Sequence, residues 1–204
     1  MANHLIIYMH PTRDSFNGAL LRTYESALVK LGEHVVVRRL YELNFDPLLT
    51  QTEYEESFHG MYRQDVKAEH EYIEAADVIT LVFPVWWAGL PALGKGYIDR
   101  VFSYRFAYEL DGECPIPKLT GKKVATICTS GTPKEEYQQT GMLKSIYQTL
   151  GDGIFSFCGL EVIDHLHFGN VVLASRTEYE QMFAAADAFA KKISKSVGRR
   201  ETND

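Results

Sequence analysis

The sequence predicts an α/β chain whose strands form a doubly wound, five-stranded parallel sheet with helices on both faces, and three observations carry that expectation. Val78-Ile79-Thr80-Leu81-Val82-Phe83 is an unbroken apolar run rich in β-branched residues, too short for a helix core and suited to a strand buried on both sides. Leu5-Ile6-Ile7-Tyr8-Met9 has the same character. Such runs alternate with helix-length segments, and there are no internal repeats, low-complexity tracts or linkers, so strand–helix units follow one another along the chain.

The strands and helices can be placed in order. The first strand, Leu5 to Met9, gives way at His10-Pro11 to a helix from about Ser15 to Leu31, which Gly32 terminates. His34 to Arg38 is the second strand. Residues 48 to 64 are acidic and tyrosine-rich, and Tyr54, Phe58 and Tyr62, four residues apart, are expected to form one helical stripe. A helix from about Gln64 to Ala76 leads into the Val78 strand, which Pro84 should stop. After the aromatic turn Val85-Trp86-Trp87-Ala88-Gly89, Pro91 is placed at the first position of a helix reaching about Phe102. Ser103 to Glu109 alternates aromatic with small or charged residues and reads as an extended piece. A fourth strand, Val124 to Thr129, runs into Ser130-Gly131-Thr132-Pro133, followed by Tyr137 and a helix. Glu161 to Phe168 is the fifth strand, and a helix from about Thr177 to Val197 carries an apolar stripe through Tyr179, Met182, Phe183, Ala186, Phe189, Ala190 and Ile193. Residues 1–198 are read as one domain and 199–204 as a polar tail.

Composition narrows the function. The 204 residues are 46% hydrophobic, enough for one substantial core. A net charge of −6 opposes a broad nucleic-acid footprint, which needs excess lysine and arginine. No apolar stretch is long enough to span a membrane and no signal peptide is read at the N-terminus, so a cytoplasmic protein is expected. The three cysteines, Cys114, Cys128 and Cys158, lack zinc or dithiol spacing and read as reduced thiols, with Cys128 in the core and Cys114 the exposed one.

Open parallel sheets bind ligands outside the carboxyl ends of their strands. Three loops there carry chemistry. Helix N-terminal amides make an anion site without any lysine, so the turn His10 to Asn17, with Ser15 at the cap, suits a phosphate. On its own, Ser15 is an ordinary capping residue. Small residues let backbone amides approach a ligand, so Ser130, Gly131 and Thr132 suit a polar ring edge, although Ser-Gly-Thr-Pro alone is only a turn.

The stretch Phe83-Pro84-Val85-Trp86-Trp87-Ala88-Gly89-Leu90-Pro91-Ala92, with Lys95-Gly96 and Asp99-Arg100-Val101-Phe102 after it, resembles the flavodoxin-like NAD(P)H:quinone oxidoreductases. His10-Pro11 with Ser15-Phe16-Asn17 is similar to that family's phosphate loop, and Leu-Tyr-x-x-Asn-Phe-x-Pro from Leu40 to Pro47 to the segment after its second strand. The resemblance implies strand order 2-1-3-4-5 and an FMN cofactor, with FAD as the alternative. His10, Ser15, Phe16 and Asn17 would hold its phosphate side. Pro84 and the amides of Val85, Trp86 and Trp87 would line one ring edge, while Ser130 and the amides of Gly131 and Thr132, with the Tyr137 phenol, would receive the charge of reduction at the other. Gly131 and Tyr137 are thus the catalytic candidates, and Trp87 and Tyr108 the substrate-pocket ones. The implied reaction is ping-pong hydride transfer from NAD(P)H to a quinone, with azo or nitro compounds as other acceptors. A homodimer with the site at the subunit boundary is implied too. Leu143 stands where animal quinone reductases carry a histidine six residues beyond the tyrosine. An electron-carrying flavodoxin and an ancillary subunit of a potassium-efflux system are the alternatives.

Two patterns are decoys. Gly89 to Gly96 nearly spells a nucleotide-binding P-loop, but no Ser or Thr follows Lys95 and Pro91 removes an amide. His165 and His167 share a strand face without a third ligand, so no metal is assigned.

Overall fold

A computed structural model describes residues 1–197. The order of elements is β1 (Asn3–Tyr8), α1 (Phe16–Lys30), β2 (His34–Arg39), α2 (Gln51–Ser57), α3 (Gln64–Ala75), β3 (Val78–Pro84), α4 (Ala92–Val101), β4 (Tyr108–Asp111), β5 (Cys114–Pro117), β6 (Lys123–Thr129), α5 (Lys134–Gln139), α6 (Met142–Leu150), β7 (Glu161–Phe168) and α7 (Arg176–Ser196). A π-helical turn, Gly151–Ser156, follows α6. The main sheet is parallel throughout, in order β2-β1-β3-β6-β7, which is the expected 2-1-3-4-5 once the hairpin β4–β5 is set aside. The tail expected over 199–204 lies outside the described residues.

Strand alternation divides the core in two. Leu5, Ile7, Ile79, Leu81 and Phe83 face one side, with Ile73, Tyr97 and Ile98 of α3 and α4 and Ile146 and Leu150 of α6. Ile6, Tyr8, Val78 and Val82 face the other, against Leu20, Tyr24 and Leu28 of α1 and Ala186, Phe189, Ala190 and Ile193 of α7. Each such aliphatic side chain contributes roughly 1.5–3 kcal/mol on burial. The polar groups on this central strand are satisfied: the Tyr24 hydroxyl lies 3.0 Å from Thr80 Oγ1.

Several expectations need correction. The segment expected to be extended from Ser103 to Glu109 first turns, with Arg105 in the left-handed region at φ 68°, and is extended only from Tyr108, where β4 opens the hairpin β4–β5 that was not expected. The stripe of Tyr54, Phe58 and Tyr62 is not one helix, since α2 ends at Ser57, with Phe58 as its C-cap. Pro91 is the N-cap of α4 rather than its first residue, and β3 runs through Pro84 instead of stopping before it. Gly94 and Gly96 are packing glycines: a Cβ at Gly94 would stand 2.4 Å from Met9 Sδ, and one at Gly96 would stand 2.3 Å from the Pro47 carbonyl oxygen.

Candidate functional site

The carboxyl ends of β1, β3 and β6 meet at Thr129, the last residue of β6 and only 2% exposed. Its Oγ1 accepts from Asn17 Nδ2 at 2.9 Å across 112 residues of sequence, and its carbonyl accepts from the Val85 amide at 2.7 Å. This one residue therefore ties the phosphate-type loop, the tryptophan turn and the Ser130 loop together. Nothing in its sequence context marks it, because a threonine at a strand end is ordinary.

On the β1 side, Ser15 caps α1, accepting from the Gly18 amide at 3.1 Å and donating to the Thr12 carbonyl at 3.1 Å. Gly18 is required here: a Cβ would stand 1.9 Å from the Arg13 carbonyl oxygen. The amides of Phe16 and Asn17 have no acceptor among the described residues, so the helix presents them together with its positive dipole end. Asn17 is 5% exposed and its Oδ1 is buried without a partner. His10 Nδ1 lies 3.1 Å from both the amide and the carbonyl of Thr12, and its ring lies 6.3 Å from that of Trp86.

The tryptophan turn is strained. Trp86 and Gly89 exchange backbone hydrogen bonds of 3.1 and 3.0 Å around Trp87 and Ala88, whose φ angles are 51° and 60°. That is a type I′ turn, built by preference from Asn and Gly, here made with a bulky aromatic residue and an alanine. Its product is a Trp87 indole standing free in solvent, at 103% relative exposure. Strain of this kind is kept where it serves a site. Of the three amides expected to line the ring edge, Val85 and Trp86 are already committed, to Thr129 and Gly89; only that of Trp87 is unspent.

On the β6 side, the amides of Gly131 and Thr132 have no acceptor among the described residues. The carbonyls around them are held: Ser130 by the Val171 amide and Thr132 by the Asn170 amide, both at 3.1 Å. The loop after β7 therefore buttresses this one. It is braced in turn by Tyr179, whose hydroxyl donates to the Val171 carbonyl at 2.8 Å and whose ring packs 4.9 Å from that of Phe16. Sequence reasoning missed this fourth loop, whose residues carry no motif. Tyr137, in α5 itself, stacks 5.8 Å from the buried His167 ring. Leu143 is buried at the start of α6 and offers no polar atom.

Tyr108 is elsewhere. It packs on Tyr104 and Phe157, with ring centroids 5.6 and 5.0 Å apart, in a cavity of about 400 Å³ that Tyr54, Phe58 and Met61 also line. None of the strand-end loop residues contributes to that cavity. The unspent donors and the orphaned Asn17 oxygen lie at the strand-end loops instead, where a polar ligand could complete them.

The family model for the flavodoxin-like fold matches residues 2–193. An uncharacterized NAD(P)H oxidoreductase of Haemophilus influenzae is 38% identical over 172 residues, covering 84% of this chain and 85% of that protein. The human ribosyldihydronicotinamide dehydrogenase [quinone] is 30% identical over 201 residues, covering 89% and 87%. The solved NAD(P)H:quinone oxidoreductase of Methanothermobacter marburgensis superposes with a TM-score of 0.86 at 27% identity, covering 94% of this chain and 98% of that one. With strand order, loop convergence and family match in agreement, the chain belongs to the flavodoxin-like fold family, among relatives named as NAD(P)H oxidoreductases.

Proposed function

We propose that the protein is a flavin-dependent NAD(P)H oxidoreductase that reduces quinones in two-electron steps. The observation that supports this most is the set of unspent amides at Phe16, Asn17, Trp87, Gly131 and Thr132, gathered on loops that Thr129 ties together. When bound, FMN supplies the hydride chemistry; the protein supplies position and electrostatics.

The N-terminus of α1 holds the phosphate through the Phe16 and Asn17 amides, while Ser15 keeps that turn in shape. The unpartnered Asn17 Oδ1 would accept a hydrogen bond from a hydroxyl of the bound cofactor. Gly131 and Thr132 amides, preset by the Asn170 and Val171 bonds, favour negative charge at the pyrimidine edge without reorganising. The Tyr137 phenol, or a water it orients, would supply the proton there, since Leu143 has none to give.

A homodimer is part of this reading. Trp87 is fully exposed and Tyr108 lies in a separate aromatic cavity, so a pocket that used both residues would need a second copy of the chain. No helix among the described residues is long and apolar enough to cross a membrane.

The test is an absorption spectrum of the purified protein reconstituted with FMN, followed by anaerobic NADPH or NADH and then a quinone. Flavin bands that bleach with the nicotinamide and return with the quinone are expected. A bound flavin that neither nicotinamide reduces would assign an electron carrier instead, and failure to bind flavin would end both readings.

A further inference from the structure

His167 is the buried polar side chain at the loop crevice to which the flavin reading gives no task. It stands near the end of β7, paired with Cys128 of β6, and is 3% exposed. Its Nε2 lies 2.8 Å from Ser130 Oγ, and that hydroxyl donates to the Thr132 carbonyl at 2.7 Å. Because the Ser130 proton points at Thr132, the hydroxyl oxygen must accept, and Nε2 must carry the hydrogen. Nδ1 is then a bare acceptor, buried and without a partner. The ring lies within 7° of parallel to Tyr137, and Lys134 and Glu135 of α5 are the charged groups that act on it.

A proton relay through this chain would have to end on a group able to hand a proton on. It ends on the Thr132 carbonyl, which cannot. The geometry is that of a clamp. Both lone pairs of that carbonyl are used, one by Ser130 and one by the Asn170 amide, while Gly169 leaves no room for movement, since a Cβ there would stand 2.3 Å from the Lys134 nitrogen. What the clamp holds still is the pair of peptides that present the Gly131 and Thr132 amides. Hydrogen bonds in series also strengthen one another in a low-dielectric setting.

We propose that His167 is a positioning residue: through Ser130 it fixes the Gly131 and Thr132 amides, and by stacking it fixes the Tyr137 ring, in the orientation that favours a flavin bearing negative charge at its pyrimidine edge. The inference rests on the flavin reading above for its consequence, and on the hydrogen-bonded chain alone for its mechanism.

The experiment compares His167→Leu and His167→Gln in the full chain, with two readouts. Without flavin, amide hydrogen exchange at Asn170 and Val171 should quicken about tenfold in the leucine variant, the loss expected for one hydrogen bond, and stay near wild type in the glutamine variant, which still offers an N–H to Ser130. With FMN, the leucine variant should lose about tenfold in its preference for reduced over oxidised flavin, a midpoint potential lower by about 30 mV, and glutamine should restore most of it. Unchanged exchange and potential in the leucine variant would overturn the clamp, as would a glutamine variant that behaves like leucine, which would make the ring mere packing. Should the leucine variant not fold, Ser130→Ala breaks the same chain and must give the same two shifts. If wild type binds no flavin, the functional reading falls while the exchange data still decide the clamp.

Discussion

Two regions of this molecule are built on opposite terms. The strand-end crevice is polar and unfinished: backbone amides that include those of Phe16, Asn17, Trp87, Gly131 and Thr132, and one buried side-chain oxygen, have no partner among the described residues, and Trp87 stands in solvent. The aromatic cavity around Tyr54, Phe58, Tyr104 and Tyr108 is mostly aromatic and has its charged groups paired: Arg100 beneath it bonds Glu53, Asp65 and the Asp46 carbonyl, and Tyr62 donates to the Tyr104 carbonyl at 2.8 Å. Enclosed volume and chemical incompleteness are thus separate properties, and the second is the better guide to where a polar cofactor goes.

That contrast can be broken from the cavity side first. Arg100→Met leaves Glu53 buried without its cation, and thermal or urea unfolding should show a loss of about 3–5 kcal/mol, as for other broken buried pairs. Flavin affinity of the folded fraction should not change; a parallel fall in affinity would mean the two regions are one site.

From the loop side, Gly18→Val forces the Arg13 carbonyl away and disturbs the phosphate turn. FMN affinity, read by fluorescence titration, should drop about 100-fold, equivalent to about 2.7 kcal/mol, within the range of an overpacked contact. Unfolding should be affected less than in Arg100→Met.

Each region also holds one buried neutral histidine, which allows a pH comparison. Burial pushes His70, stacked on Phe106 and donating to the Val101 carbonyl at 2.9 Å, down to about 4, and burial with the Lys134 ammonium nearby pushes His167 down to about 4. Unfolded, both would titrate near 6.5. The unfolded state therefore binds more protons between pH 6.5 and 4, so stability is full above 6.5 and falls as pH drops through that window. Each group adds up to about 1.4 kcal/mol per pH unit to the slope, and His70→Gln should remove one such share while leaving flavin affinity alone.

The smallest effect concerns the strained turn. Ala88→Gly relieves a left-handed alanine and should raise stability by about 1 kcal/mol in a urea titration, with Trp87 still displayed. A destabilised variant would show that the turn is not strained.

Much of this was legible in the sequence, for identifiable reasons. Strands buried on both faces announce themselves as apolar runs, so all five strands of the sheet were placed, and Ser15 with Gly32 marked both ends of α1. Loops at strand ends converge once the topology is right, which made His10, Asn17, Trp86 and Ser130 readable as neighbours. The hairpin β4–β5 was not readable, because Asp111, Gly112, Pro115 and Pro117 are poor strand formers and its pairing is purely local. Nor was the role of His167. It depends on a register shift between β6 and β7 at Val124/Ala125, which pairs Val124 with Val162 but Ala125 with Asp164 and so brings His165 to Thr126 and His167 to Ser130. Alternation alone gives two histidines on one face and nothing about what they meet. Tyr108 shows the opposite limit: the resemblance implies a substrate pocket for it, while its own chain places it in the aromatic cavity away from the loops.

The most direct test of the central claim is an amide chemical-shift map of the protein titrated with FMN. The account predicts saturable shifts at Phe16, Asn17, Trp87, Gly131 and Thr132, with the residues around Tyr54 and Leu110 unmoved. Shifts confined to the aromatic cavity, with those five amides silent, would contradict it.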